Sequence, residues 1–106
     1  MPKYLLNVSY TAEGVKGVLK DGGSKRRTVA REAVERAGGT LEAFYFAFGK
    51  SDAVVIVDLP DPQTAAALSL VLAASGAVTS TTTVLLTPEE IDAAVKKSMP
   101  YTPPGR

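Results

Sequence analysis

The chain of 106 residues contains neither cysteine nor histidine. Without cysteine it has no disulfide, no thiolate nucleophile and no ligand set for most structural zinc sites. Without histidine it lacks the most common general base, the most common transition-metal ligand and the usual proximal haem ligand. Any chemistry therefore falls to carboxylates, lysine, tyrosine, serine or threonine, and we expect no metal centre and no cofactor.

The chain also has little net charge and no long apolar run. Twelve basic and eleven acidic side chains leave a formal charge of +1, whereas a dedicated nucleic-acid-binding domain usually carries a marked basic excess. The most apolar run, 65–74, is about half as long as a membrane span requires. The first residues lack the apolar core of a signal peptide. We therefore expect a cytoplasmic protein that binds neither nucleic acid nor membrane.

Hydrophobic periodicity and capping residues predict the order of elements. Predicted strands cover 4–10, 40–49, 52–59 and 77–86, and predicted helices cover 11–20, 24–37, 62–75 and 88–97. This order indicates an α+β fold of the ferredoxin-like βαββαβ type, with a four-stranded antiparallel sheet plus a short C-terminal helix. We expect a single domain over 1–97 and a flexible, proline-rich tail over 98–106.

The segment FAFGKSDAVVIV in the middle of the chain predicts a hairpin that is apolar on both faces. If its turn pairs Gly49 with Asp52, three phenylalanines lie beside Ala53, Val55 and Val57, and Tyr45 lies beside Ile56. An apolar face that the helices do not cover usually marks an interface.

A homodimer buries such a face. Its expected interface residues are Phe44, Phe46, Phe48, Val55 and Val57. The alternative is that the C-terminal helix, with its apolar Ile91, Ala94 and Val95, folds across the open face of the sheet.

Three segments carry a resemblance to a known family. They are YTAEGVK, GGTLEAFYFAFGKSDAVVIVDLPD and ALSLVLAASGAVTSTTTVLLTPEEI, and the match as a whole covers roughly 7–91. They resemble the GYD domain family of small bacterial proteins, named for a Gly-x-Tyr-Asp turn. The resemblance implies a dimeric ferredoxin-like α+β barrel and implies no particular activity. This chain has Ser51 where the family carries tyrosine, so an active site built on that phenol is less expected here.

Asp52 and Gly49 of that turn have mainly structural interpretations. We expect the Asp52 carboxylate to accept backbone N–H groups of the turn and Gly49 to adopt a positive φ. The functional alternative makes Asp52 a general base or a ligand anchor.

Other polar residues are candidates for ligand binding. Tyr10, Tyr45 and Thr82 are predicted on strands, where they either line a cavity under the helices or pack in the core with bonded hydroxyls. Arg27 belongs to a basic group near the Gly22-Gly23 break. That group forms either a solvated helix face or, with Ser24 at the start of the resumed helix, an anion pocket.

These observations predict a small homodimeric protein that binds a small apolar or anionic metabolite or serves a structural role. One alternative is a cofactor-independent monooxygenase or isomerase, which rests on analogy of fold alone. That alternative requires Asp52 or Tyr45 to face an enclosed pocket with a strongly perturbed pKa. A second alternative is a protein-interaction module that uses the tail. We favour binding over catalysis.

Overall fold

The computed structural model describes residues 1–106 and contains four strands and four helices. In chain order they are β1 (Lys3–Tyr10), α1 (Ala12–Asp21), α2 (Gly23–Arg36), β2 (Thr40–Phe46), β3 (Ala53–Asp58), α3 (Pro62–Ala74), β4 (Val78–Leu85) and α4 (Pro88–Val95). The strands form one antiparallel sheet in the order β2-β3-β1-β4. The predicted ferredoxin-like α+β fold is confirmed.

Short-range capping interactions begin and end the helices where the sequence predicts. Gly22, with φ of 79°, separates α1 from α2, in the left-handed region where glycine is favoured. The Asp61 carboxylate accepts the Thr64 N–H at 2.7 Å and caps α3. Thr87 and Glu90 form the reciprocal capping box that begins α4. None of the four helices combines the length and the apolar character needed to cross a membrane.

The cap of α3 leads to a pH-dependent prediction. Because the hydroxyl and N–H of Thr64 both donate to Asp61, the pKa of this carboxyl lies below its ordinary value of 3.8. A depressed pKa stabilises the fold above the unfolded-state value, and this stabilisation is lost as the pH falls through the folded-state value. We expect thermal melts of the wild type to lose Tm more steeply below about pH 4 than those of Asp61→Asn, which keeps a capping oxygen without the charge. Equal slopes in the two proteins would contradict this prediction.

The core lies between the sheet and helices α2 and α3. Alternate residues of β1, namely Tyr4, Leu6 and Val8, are buried on this side of the sheet. Alternate residues of β3 lie beside them, and the series ends at the fully buried Leu59. Val34 of α2 is part of the same cluster. Because every second residue of both strands is buried on this side, this is the face of the sheet that packs against the helices.

The β2–β3 hairpin has a different register from the predicted one. Phe46 pairs with Ala53 and ends β2, so residues 47–52 form the connection instead of a two-residue corner. The Ala47 N–H donates to the Asp52 carbonyl at 2.9 Å across it. Phe44 therefore pairs with Val55, two positions from the expected register. A shift of two residues leaves every side chain on its original face, which is why the predicted faces of these residues hold.

Two details of the hairpin correct the sequence-based expectations. Gly49 does not adopt a positive φ, since the glycines that do are Gly22, Gly38, Gly76 and Gly105. A six-residue connection reverses the chain without a left-handed residue at that position. A bulge between Leu41 and Ala43 turns Leu41 to the helix side, opposite Val57, although simple alternation predicts the other face.

Helix α4 lies apart from the rest of the domain. All of its residues are exposed, and it makes no more than marginal contact with any other element. The molecule is correspondingly elongated, with extents of 57 × 33 × 23 Å. The alternative in which this helix covers the open face of the sheet is therefore wrong for the single chain. The domain limits of 1–97 and 98–106 stay a prediction.

Candidate functional site

A largely apolar cavity of about 110 Å³ lies between the sheet and helices α2 and α3. Strands β1 and β3 form its floor, and α2 and α3 form its two walls, since these helices make no more than marginal contact with each other. The lining residues are Leu6, Val8, Tyr10, Arg26, Val29, Ala30, Ala33, Val34, Phe44, Ala53, Val55, Val57, Leu68, Leu72 and Val78. A concave, partly open apolar space with few polar groups is the usual character of a small-molecule site.

Short side chains at facing positions leave this space open. Ala30 and Ala33 lie on the inward face of α2, and Ala53 lies on the floor below them. Across the gap, α3 contributes Leu68 and Leu72. A methyl group cannot span the distance to the opposite helix, so the volume between the two helices is unfilled.

Two polar side chains reach this cavity, Tyr10 and Arg26. Burial is the main cause that raises the pKa of the Tyr10 phenol, and the negative charge of Asp52 acts in the same direction. The nearby positive charge of Arg26 opposes this rise. The phenol is therefore protonated at neutral pH and available as a donor, beside a guanidinium that is always charged.

The Asp52 carboxylate holds the end of β1 in place. Its Oδ2 atom accepts the backbone N–H of Tyr10 at 2.8 Å, and its own N–H donates to the Val8 carbonyl at 2.8 Å. The carboxylate thus accepts a backbone N–H as the structural interpretation expects, but from the neighbouring strand instead of from its own turn. Asp52 does not line the cavity, and its role in ligand binding stays a prediction.

The other predicted ligand-binding residues lie at three separate places. Tyr45 pairs with Val54 on the opposite face of the sheet and is 71% exposed. Thr82 bonds the Ser69 hydroxyl at 2.9 Å, beside α3 and outside the cavity. Arg27 is exposed over a shallow depression that Ser24 also lines. The structure brings only Tyr10 of the predicted set to the cavity, and ligand roles for the others stay predictions.

The five predicted interface residues lie toward the helix side of the sheet. Val55 and Val57 are 6% and 1% exposed within the single chain, and Phe44 is half-buried beside them. Phe46 retains partial exposure, and Phe48 lies beyond the paired part of β2 and is fully exposed. The chain's own helices thus cover the valines, and contact of these five residues with a partner stays a prediction.

The opposite, open face of the sheet carries its own apolar patch. Its members are Leu5, Ala43, Tyr45, Val54 and Ile56, which the strand pairing places on one side. A salt-bridged group at one end joins Lys3 to Glu42 and Asp58. The hairpin is therefore apolar on both faces as predicted, and this patch is the surface that no helix of the chain covers.

Arg26 is the cavity residue that the sequence does not single out. It belongs to the basic group near the Gly22-Gly23 break, for which the sequence leaves a solvated helix face and an anion pocket as alternatives. Its position three residues before Val29 and four before Ala30 places it on the same stripe of α2 as the apolar residues. This spacing is the feature of the sequence that indicates an inward-facing Arg26.

Comparison with known proteins agrees with this architecture. The model of the GYD domain family matches residues 4–95, which include α1, α2 and α3 and almost all of the sheet. Searches of curated proteins and of solved structures found no match. Ser51, at the position of the family tyrosine, lies with Lys50 and Asn7 at a polar end of the open face and not in the cavity. On this match, the chain belongs to the GYD domain family.

Proposed function

We propose that this protein binds a small apolar molecule in the cavity between the sheet and helices α2 and α3. The cavity itself is the observation that carries the proposal. Apolar side chains line a volume of about 110 Å³ that no side chain of the protein fills, and such lining atoms lack the packing contacts that a filled core provides. A ligand that fills the space restores those lost contacts. A closed apolar cavity of about 150 Å³ in another protein binds benzene, so a single ring is the expected scale of the ligand.

Benzene is a suitable first probe, because it tests the apolar volume alone. We expect a benzene titration followed by methyl NMR to saturate, with the largest shifts at Val55, Leu68 and Leu72 around the cavity. Ala33→Leu should abolish the response, because the larger side chain fills the space. Ala67→Leu is the matched control: it makes the same change at an exposed position of α3 and should leave binding intact.

Two results of the benzene titration would contradict this proposal. Shifts that do not saturate, or that spread over exposed methyl groups, would show that the cavity takes no ligand. The same conclusion follows if Ala33→Leu binds benzene as well as Ala67→Leu does.

We further propose that the protein is a homodimer that buries the open-face patch of Leu5, Ala43, Tyr45, Val54 and Ile56. The patch is contiguous across three strands, and α4 does not cover it. A contiguous apolar patch on a protein surface often marks an interface. A second copy of the same sheet is an occupant of matching size and shape. The mass of the protein in solution tests this part of the proposal.

A further inference from the structure

The charge at the cavity is carried by one side chain. Arg26 is the only charged residue that lines it. The ion pairs of the chain involve Lys3, Lys16, Lys25 and Arg36, so no carboxylate forms a direct ion pair with Arg26. A cation beside an apolar volume, without a direct ion-pair partner, favours an anion as its ligand.

Burial distinguishes Arg26 from the other arginines of α2. Arg27, Arg31 and Arg36 are exposed, as a solvated helix face requires, whereas Arg26 is half-buried. Arg26 and Tyr10 line the same cavity, and the charge of Arg26 acts on the Tyr10 phenol, so the two donors lie near each other there.

We propose that the ligand is a small apolar monocarboxylate, with its hydrocarbon body in the cavity and its carboxylate on Arg26 and the Tyr10 hydroxyl. This inference rests on the proposed binding function and adds the class of ligand. Guanidinium presents two parallel N–H groups that match a carboxylate, and the protonated phenol supplies a further donor.

The same features select against other ligand classes. A phosphate monoester carries a charge of about −1.5 to −2, of which one guanidinium balances only one unit. A neutral apolar molecule leaves the charge of Arg26 uncompensated. The cavity volume limits the hydrocarbon part to roughly one ring or a short branched chain.

The test compares three probes that separate the head group from the body. Benzoate carries both, benzyl alcohol keeps the ring without the charge, and acetate keeps the carboxylate with almost no apolar body. Dissociation constants are measured by NMR titration for the wild type, Arg26→Met and the matched control Arg27→Met. Methionine retains an unbranched apolar stem and removes the charge.

We expect the wild type to bind benzoate most tightly and acetate not at all. Arg26→Met should weaken benzoate binding roughly 10- to 100-fold, the range for a charge-assisted hydrogen bond, and leave benzyl alcohol binding within about threefold. Tyr10→Phe should weaken benzoate binding by roughly tenfold. Arg27→Met should bind all probes as the wild type does.

Two results would overturn the inference and leave the binding function standing. One is benzyl alcohol binding as tightly as benzoate while benzene still saturates the cavity. The other is equal loss of benzoate affinity in Arg26→Met and Arg27→Met, which would indicate a diffuse surface charge effect. Failure of benzene itself to bind would instead remove the proposed function. Benzene binding by Arg26→Met shows that the variant keeps the folded cavity.

Discussion

Replacing Gly14 with alanine is expected to lower the free energy of unfolding by about 2–4 kcal/mol, although alanine is the better helix former. A Cβ atom at this position would lie 2.0 Å from the Ala77 carbonyl oxygen and 3.1 Å from the Tyr10 ring. The first of these neighbours is backbone and cannot turn aside as a side chain can. Helix α1 must therefore move away from the start of β4.

The Ala77 carbonyl, which the new methyl group would displace, belongs to a hydrogen-bonded junction between α1 and the α3–β4 connection. The Thr11 N–H donates to the Ala77 carbonyl at 2.9 Å, and the Thr11 hydroxyl donates to the Gly76 carbonyl at 2.8 Å. The same hydroxyl accepts the Gly14 N–H at 3.2 Å and so caps α1. One methyl group at residue 14 thus strains both the helix cap and the link between α1 and the α3–β4 connection.

Gly17→Ala is the matched control for this prediction. It lies one turn further along α1, and a Cβ atom there meets nothing within 4 Å. Alanine should stabilise the protein there by roughly 0.5–1 kcal/mol through helix propensity. Thermal unfolding should place Gly14→Ala roughly 10–25 °C below the wild type and Gly17→Ala slightly above it. A stabilising Gly14→Ala would show that α1 does not approach Ala77 so closely.

Gly14 illustrates which features of this fold local sequence reasoning predicts. Helix α1 follows from its apolar spacing, and its end at Gly22 follows from the glycine pair. The close approach to Ala77 depends on a residue more than sixty positions away, and no local pattern contains that information. An isolated glycine within a helical pattern is a weak sign of backbone contact, because it lowers helix propensity without local benefit.

The hairpin shows the same division between local and long-range information. Alternation of Phe44 and Phe46 assigns both to one face, and the structure confirms that they share it with Val55. Alternation cannot say which face meets the helices, because both faces of this hairpin are apolar. The alternating burial of β1 shows which face meets the helices, since Leu6 and Val8 point to the core while Asn7 between them does not.

The cavity could be predicted only in part. Tyr10 was a candidate because a strand phenol near helices often supplies the polar group of an apolar pocket. The space itself depends on how far α2 stands from α3, which sequence spacing does not give. Arg26 lines the cavity because it lies on the same inward stripe of α2 as Ala30 and Ala33, and the fold turns that stripe toward α3.

The open face of the sheet leads to the second large expected effect, on the oligomeric state. In the proposed homodimer, Tyr45→Asp should convert the protein to a monomer, because it places a carboxylate in the apolar patch that the partner sheet covers. Burying an unpaired charge costs several kcal/mol, which opposes association through this patch. Sedimentation velocity at micromolar concentration should give twice the single-chain mass for the wild type and the single-chain mass for the variant.

Leu70→Asp is the matched control, because Leu70 on α3 and Tyr45 are each 71% exposed in the single chain. It adds the same charge to the helix layer, and we expect this variant to remain dimeric. A dimer disrupted by Leu70→Asp and kept by Tyr45→Asp would place the interface on the helices. A monomeric wild type would contradict the dimer altogether. In that case the patch around Val54 and Ile56 would remain open to solvent, and only the cavity would be left as a binding site.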